Sequence, residues 1–390
     1  MSGVRREARI VGIAETPFTR ESPHSALELM CRAIEAALAD AGLPASAVDG
    51  MAICTMTVPD DTPFLAEAMG FELSWIAKCD QGGAAAVTSL IRAKHAIEAE
   101  YVDVVVCVGG GNRDPRLDHD DVLTIGDYSR RNFVAPLGYG GPNSMFGLIQ
   151  RRHMHEYGTT LEQLAKIAVT QRRHAMANPN ALLRTPLEPA DYLSSRLISD
   201  PIRLLDCVMP CSGSAAVVLT AADRVPATFP YPPVTIRAAA ENVNHQVQDP
   251  LPDRLSTGIR ALTSRLFCSV DRADLDFLQL YDDYPIAVLM QLEDLGFAEK
   301  GKGGPFVERT NLAFDGDLPL NTGGGQLSCG QPRSTGGFIG VVEGVRQLQG
   351  RADGRQVADA RIGLVTGIGH LTYSTNLAST AAVVLERSAT

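Results

Sequence analysis

The sequence predicts an α/β protein built from two similar halves, stacked as α/β/α/β/α layers. Three observations carry this. Residues 102–108 (VDVVVCV) are apolar at every position but Asp103, the mark of a strand covered on both faces. Each half has a glycine-rich loop leading into a long helix, Gly82-Gly83 before residues 87–97 and Gly323-Gly324-Gly325 before residues 334–349. Each of these helices then leads to an apolar strand ending in glycine, at Gly109-Gly110-Gly111 and at Gly367. Another apolar strand closes each half. The repeat is one of pattern, with no residue-level similarity.

Taken in order, residues 9–14 (RIVGIA) read as a strand. Ser22-Pro23 reads as an N-cap with proline in the first turn. Leu27, Met30, Cys31, Ile34 and Leu38 then recur at helical spacing, and Gly42 closes the helix. Residues 48–54 and 75–79 are the next strands. From about 112 to 180, within an insertion of about 112–200, the chain is richer in Arg, His, Tyr and Asn, with helices expected over 145–157 and 161–178. Such an insertion usually builds a binding face or a subunit contact. Strands are expected at 202–207 and 215–219. The proline-rich residues 226–233 are the best linker candidate, which divides the chain into residues 1–230 and 231–390. The second half should hold strands at 234–240, 277–280, 361–366 and 381–385, and helices at 251–266 and 334–349.

Of the 390 residues, 45% are hydrophobic and 21% charged, ordinary for a globular protein. The net charge of -10 without a basic run argues against nucleic acid as a partner. Eight cysteines occur singly, without a CxxC pair, so neither a metal finger nor a disulfide framework is expected. No apolar stretch is long enough to span a membrane. The N-terminal residues run straight into a strand pattern without a signal-like apolar region, and a reducing cytoplasm is the expected location.

The stretch Leu-Gln-Leu-Tyr-Asp-Asp-Tyr-Pro at 278–285 is the focal point. A short apolar run ends in two carboxylates flanked by two phenols, and Val288, Leu292 and Leu295 follow at helical spacing. Side chains at such a strand end face a crevice in α/β sheets. Tyr281 and Asp283, two apart, would share a face. The plainer alternative is that Asp282 or Asp283 caps the following helix.

The whole pattern resembles the thiolase superfamily, and within it the sterol-carrier-protein-x type of thiolase-like protein. The resemblance rests on Val11-Gly12-Ile13-Ala14 with Thr16-Pro17-Phe18, GGAAAV at 82–87, the VDVVVCVGGG strand, SGSAAVVLT at 212–220 and LPLNTGGGQLSCGQP at 318–332. It spans essentially the whole chain and implies the five-layer fold and a homodimer. By this resemblance the family's nucleophilic cysteine falls on Gly83, its Gly-His-Pro histidine on Gln331, its second cysteine on Gly367, and the His or Asn of its fourth motif on Tyr281. All four groups are replaced. Steroid side-chain aldolases, often named lipid-transfer proteins, share the loss of the cysteine and the Tyr-Asp pair seen here as Tyr281-Asp282. They cleave β-hydroxyacyl-CoA by retro-aldol chemistry and, by resemblance, work with a small OB-fold/zinc-ribbon protein. This chain departs from them in carrying Gln331 where they have a second tyrosine.

A retro-aldol step needs a base for the β-hydroxyl and donors for the thioester enolate, and no nucleophile. Tyr281 would serve as base if its phenol pKa were lowered. Asp283 would orient it or a water. Gln331 would donate a hydrogen bond, and His370 lies beside the second-cysteine position. Backbone amides near Gly83 and Gly367 would hold the enolate oxygen. Cys329, Tyr284 and Tyr373 are further candidates. No bound cofactor or metal is expected, only a coenzyme A thioester as substrate. Among Arg130, Arg131, Arg151, Arg152, Arg172 and Arg173, some could meet CoA phosphates, though most should be solvated or at a subunit contact. The rival readings are an acyltransferase using Cys79 or Cys329, and a non-catalytic acyl-CoA-binding subunit of a complex.

Overall fold

The computed structural model describes residues 6–54, 61–113, 141–243, 253–372 and 376–388, with the single residues 132, 136, 138 and 245. The first half runs β1 (Ala8–Glu15), α1 (Ala26–Ala41), β2 (Gly50–Cys54), α2 (Asp61–Met69), β3 (Trp75–Cys79), a 3-10 turn at Gly82–Ala84, α3 (Ala85–Glu98) and β4 (Val104–Gly111). The insertion holds α4 (Pro142–Tyr157), α5 (Leu161–Met176), α6 (Pro189–Ser194) and a hairpin of β5 (Leu197–Ser199) and β6 (Ile202–Arg203), before β7 (Gly213–Ala221) closes the half. The second half runs β8 (Val234–Val243), α7 (Thr263–Leu266), β9 (Phe277–Gln279), α8 (Pro285–Asp294), α9 (Gly303–Arg309), α10 (Gly325–Cys329), α11 (Gly336–Leu348), β10 (Ile362–Thr372) and β11 (Asn376–Arg387).

The strands form one nine-stranded order, β3-β2-β4-β7-β1-β8-β11-β10-β9. The halves join where β1 meets β8 over only two residue pairs, Arg9 with Thr235 and Ile10 with Val234. On either side of this seam the sheet is covered on both faces. α3 and α11 touch strands of both halves and bury Val87, Leu90, Phe338, Val341 and Val345 against them, forming the middle layer. α1 packs outside β1, β4 and β7, with Met30, Ile34 and Leu38 inward. α8, buried on all sides, belongs to the outer core of the second half. This is the five-layer arrangement expected, and burial on both faces explains why β4 holds no polar side chain and why β7 is apolar from Ala215 to Leu219.

Several local expectations shift. α1 starts at Ala26 rather than beside Pro23, because Ser25 Oγ accepts from Glu28 N (3.1 Å) and so is the cap, while Ser22 Oγ accepts from His24 N (3.2 Å). The expected strand at 202–207 stops at Arg203; Asp206 accepts from Arg203 N (2.7 Å) and tightens a 3-10 turn. Of the expected helix at 251–266, residues 251 and 252 lie outside the described residues, and the rest reduces to a 3-10 turn at Ile259–Leu262 and the four-residue α7, since Gly258 adopts a left-handed φ of 80°. Neither Asp282 nor Asp283 caps α8; Tyr284 stands at its N-cap, with Pro285 next and no side-chain bond.

Candidate active site

β9 ends at Gln279, and Asn321 prolongs its pairing. With φ of 49°, a conformation asparagine tolerates, its side chain accepts from Leu280 N (2.7 Å) and donates to Leu280 O (2.9 Å). The next residue is Tyr281. Its backbone is held by a closed ring of hydrogen bonds: Tyr281 N donates to Thr366 Oγ1 (2.9 Å), Thr366 Oγ1 donates to Gln291 Oε1 (2.6 Å), and Gln291 Nε2 donates to Tyr281 O (2.6 Å). β10 supplies Thr366 and α8 supplies Gln291, so strand and helix jointly fix the phenol's starting point.

The Tyr281 ring lies against Gly83, at the start of α3. A Cβ on Gly83 would stand 2.1 Å from Tyr281 Cζ and 2.2 Å from its hydroxyl. Gly367 is as tightly placed, since a Cβ there would stand 2.7 Å from Gly83 O. The structure therefore brings Tyr281, Gly83 and Gly367 to one point. β9 pairs with β10 only as far as Val365, so the residues of β10 after it face this point unpaired by β9.

Asp283 lies beside the phenol, and Gln331 Nε2 donates to its Oδ1 (2.8 Å). Burial pushes the Asp283 carboxyl up to about 7, against hydrogen bonds from Tyr281 and Gln331 that pull it down. The Tyr281 phenol is pushed well above its ordinary range by burial and by the neighbouring Asp283 charge. The lowered phenol pKa expected of a basic Tyr281 is thus not met: in a dry site beside a carboxylate the neutral phenol is favoured. Asp283 is the group poised near neutrality.

Asp282 has another task. Its carboxylate accepts from Gln326 N (2.9 Å), Leu327 N (3.1 Å) and Gln171 Nε2 (3.1 Å). It thereby caps α10 and ties that turn to α5. Burial pushes it up to about 8 despite these donors. Gly325 must be glycine here: its φ is 58°, and a Cβ would stand 2.0 Å from Asp282 Oδ2.

The other described candidates lie elsewhere. Tyr284 donates to Asn143 Oδ1 (2.6 Å) and stacks on Phe146 at 4.1 Å, which ties α4 to the start of α8. Cys329 is 1% exposed, donates to Gly323 O (3.2 Å) and accepts from Asn178 Nδ2 (3.4 Å). Burial raises its pKa, so it is an inert core thiol. Cys79 has a lowered pKa because the Cys54 thiol donates to it, yet it is wholly buried at the end of β3. Tyr373 and the His370 side chain lie outside the described residues, as do Arg130 and Arg131. Arg151 pairs with Asp200 (2.6 Å), Arg152 with Glu156, and Arg173 with Asp315 (3.3 Å). Arg172 is buried on Ser328 Oγ (3.0 Å). Among the described residues there is no metal-holding cluster, and no helix is long and apolar enough to cross a membrane.

Three amides not singled out from sequence complete the site: Gln171, Gln291 and Gln326. Their signal was present. An amide in the otherwise apolar PIAVLMQL run of α8 must bond to something buried.

A carboxylate and a phenol in contact, with a glycine where a nucleophile could stand and no accessible thiol described beside them, define a distinctive class of site. The family profile described as "Thiolase C-terminal domain-like" matches residues 241–387. A steroid side-chain-cleaving aldolase of Thermomonospora curvata is 32% identical over 90% of this chain and 92% of its own. A 17-hydroxy-3-oxo-4-pregnene-20-carboxyl-CoA lyase of Mycobacterium tuberculosis is 34% identical over 88% and 92%. The solved structure of an Ltp2-ChsH2(DUF35) aldolase superposes with a TM-score of 0.87 at 31% identity, covering 98% of both chains. The chain belongs to the thiolase superfamily, within its sterol-carrier-protein-type branch and close to the steroid side-chain aldolases.

Proposed function

We propose that this chain is a carbon–carbon lyase that cleaves a β-hydroxyacyl-CoA with a bulky, steroid-like side chain by a retro-aldol step. The observation that carries it is the placement of Tyr281 against Gly83: the space a nucleophile would need is taken by a phenol that touches a carboxylate of pKa about 7. In the forward step the β-hydroxyl donates its proton to the Tyr281 oxygen as the phenol's own proton passes to ionised Asp283, so Asp283 is the base and Tyr281 relays the proton. The Cα–Cβ bond breaks, its electron pair moves onto the thioester as an enolate, and the β-carbon becomes a carbonyl. The enolate oxygen is met by N–H groups at the start of the 3-10 turn leading into α3, where a helix end leaves donors without partners. The proton held by Asp283 returns to the α-carbon, so the products are a carbonyl compound and a shorter acyl-CoA, with no net proton. Gln331 keeps Asp283 facing the phenol.

Cys79 and Cys329, both buried, argue against the acyltransferase reading. A small OB-fold/zinc-ribbon partner is proposed by analogy with the two-component Ltp2-ChsH2(DUF35) aldolase that this chain resembles. A homodimer is proposed from β3, which lies at one end of the sheet with Ile76 half exposed. An unpaired edge strand is a template for a second copy, and sedimentation as a monomer at micromolar concentration would remove that proposal. A cytoplasmic location is proposed with it.

The test is a product assay on the wild type and Tyr281→Phe. The substrate is a β-hydroxyacyl-CoA with a ring substituent, given with and without a candidate partner protein. Release of a carbonyl compound without free CoA, lost by about 10²–10⁴-fold in the variant, is expected. Acyl transfer to CoA that survives Tyr281→Phe would overturn the reading.

A further inference from the structure

Gln326 is 1% exposed and sits in the first turn of α10. Its backbone N–H is already fixed by Asp282, the residue after Tyr281 (2.9 Å). Its side chain lines one small cavity with Tyr281 and Asp282, and it lowers the pKa of both groups against the rise that burial causes. Oε1 is the end turned toward Gly336, which leaves Nε2 on the side of Tyr281 and Asp282. Oε1 has no hydrogen-bond partner among the described residues. It stands 2.2 Å from where a Cβ on Gly336 would be, beside the first turn of α11. A cavity of about 10 Å³ lies there, lined by Tyr281, Gln326, Asn321, Gly336, Gly337 and Thr366. That is room for one water molecule, which the amide oxygen would accept from.

We propose, resting on the lyase reading, that Gln326 is a positioning residue: its Nε2 donates to the Tyr281 hydroxyl oxygen and thereby directs the phenol's own proton to Asp283. A hydroxyl has a single proton. With one lone pair occupied by Gln326, the proton is free to point at the carboxylate. Gln326 and Gln331 then divide the work, one serving the phenol and one the carboxylate. They flank Gly336, where a Cβ would also meet Gln331 Cγ at 3.2 Å. A side chain at 336 would push both amides, which is why the first residue of α11 carries none.

The test replaces Tyr281 with 3,5-difluorotyrosine, whose phenol ionises in an accessible range, and follows its 19F resonance with pH in three chains: Gln326, Gln326→Met and Gln326→Glu. Loss of the donor should raise the pH of ionisation by about one unit in the Met variant, with the Glu variant rising at least as far. In the unlabelled variants kcat should fall at least about ten-fold while KM stays within about three-fold, as expected for a group acting after binding. An unchanged ionisation in both variants overturns the inference, as does a kcat loss in Met that Glu, of equal volume, restores at neutral pH. The fluorine readout needs no substrate. A shifted resonance with no lyase activity would therefore sink the proposed reaction and leave Gln326 in place, whereas activity with an unshifted resonance would do the reverse.

Discussion

The Tyr281 hydroxyl stands 2.2 Å from the point a Cβ on Gly83 would occupy, so positions 83 and 281 share the space of one side chain. Gly83→Ala is expected to drive the phenol off its seat and to cost about 1–3 kcal/mol as overpacking. Activity should fall at least about 100-fold. Gly83→Cys is the sharper variant. It restores a thiol at a helix start, yet among the described side chains no imidazole stands beside it, and the position of the family's activating histidine is Gln331, which takes no proton at neutral pH. It should show neither lyase activity nor thiolysis of a 3-ketoacyl-CoA. Thiolysis by Gly83→Cys would show that glycine there is incidental.

Asp283 links activity and stability in opposite directions. As the proposed base it must be ionised, so kcat should rise with pH through about 7, and Asp283→Asn should flatten that limb and lose about 10²–10⁴-fold. For stability, its carboxyl is raised in the folded chain above its ordinary 3.8. Between about 4 and 7 the unfolded chain therefore binds fewer protons than the folded one, and stability falls as pH rises. Asp283→Asn removes this loss while keeping an oxygen for Gln331. Its melting temperature relative to wild type should thus be higher at pH 8 than at pH 4. Thermal melts at the two pH values check this, and a gap that does not widen with pH would contradict the raised carboxyl.

Gln331 lowers the Asp283 pKa by donating to its Oδ1 at 2.8 Å. Gln331→Leu removes that donor in similar volume. The rising limb of the kcat profile should then move to higher pH, and kcat at pH 6 should fall more than kcat at pH 9. Equal loss at both pH values would mean that Gln331 touches the substrate rather than tuning Asp283.

The sequence carried Tyr281 and Asp283 because their neighbours did. An apolar run that stops at polar residues before a helix is a strand end at a crevice. It did not separate Asp282 from Asp283. Adjacent carboxylates look alike until Gln326 and Leu327, more than forty residues on, are folded over one of them. Gln326 was hidden in the same way, inside a glycine-rich loop whose amide acquires meaning only beside Tyr281. The expected helix at 251–266 failed for a local reason: its apolar spacing was genuine, but Gly258 takes a left-handed turn within it. Long-range pairing of polar side chains leaves no periodicity behind, whereas burial of a strand or helix face does.

The frame behind the site rests on a buried ion pair that the sequence does not advertise. Glu343 of α11 accepts from Arg355 Nε (3.0 Å) and Nη2 (2.9 Å), and from Arg346 (3.1 Å). It also accepts from Thr322 Oγ1 (3.0 Å), which in turn accepts from Gln279 at the end of β9 (2.8 Å). The network thus connects α11 to the strand that delivers Tyr281. Burial alone would raise the Glu343 carboxyl; the charges of Arg355 and Arg346 overcome it and hold it at about 2. Glu343→Gln leaves Arg355, 2% exposed, without its counter-charge. Breaking one member of such a pair costs about 3–5 kcal/mol. Because the folded pKa is depressed, this stabilisation is present above the ordinary 4.5 and is lost as pH falls toward 2. Urea unfolding should therefore find Glu343→Gln markedly weaker than wild type at pH 7, with the difference shrinking below pH 4. A difference that stays constant across this range would assign the cost to packing rather than to the ion pair.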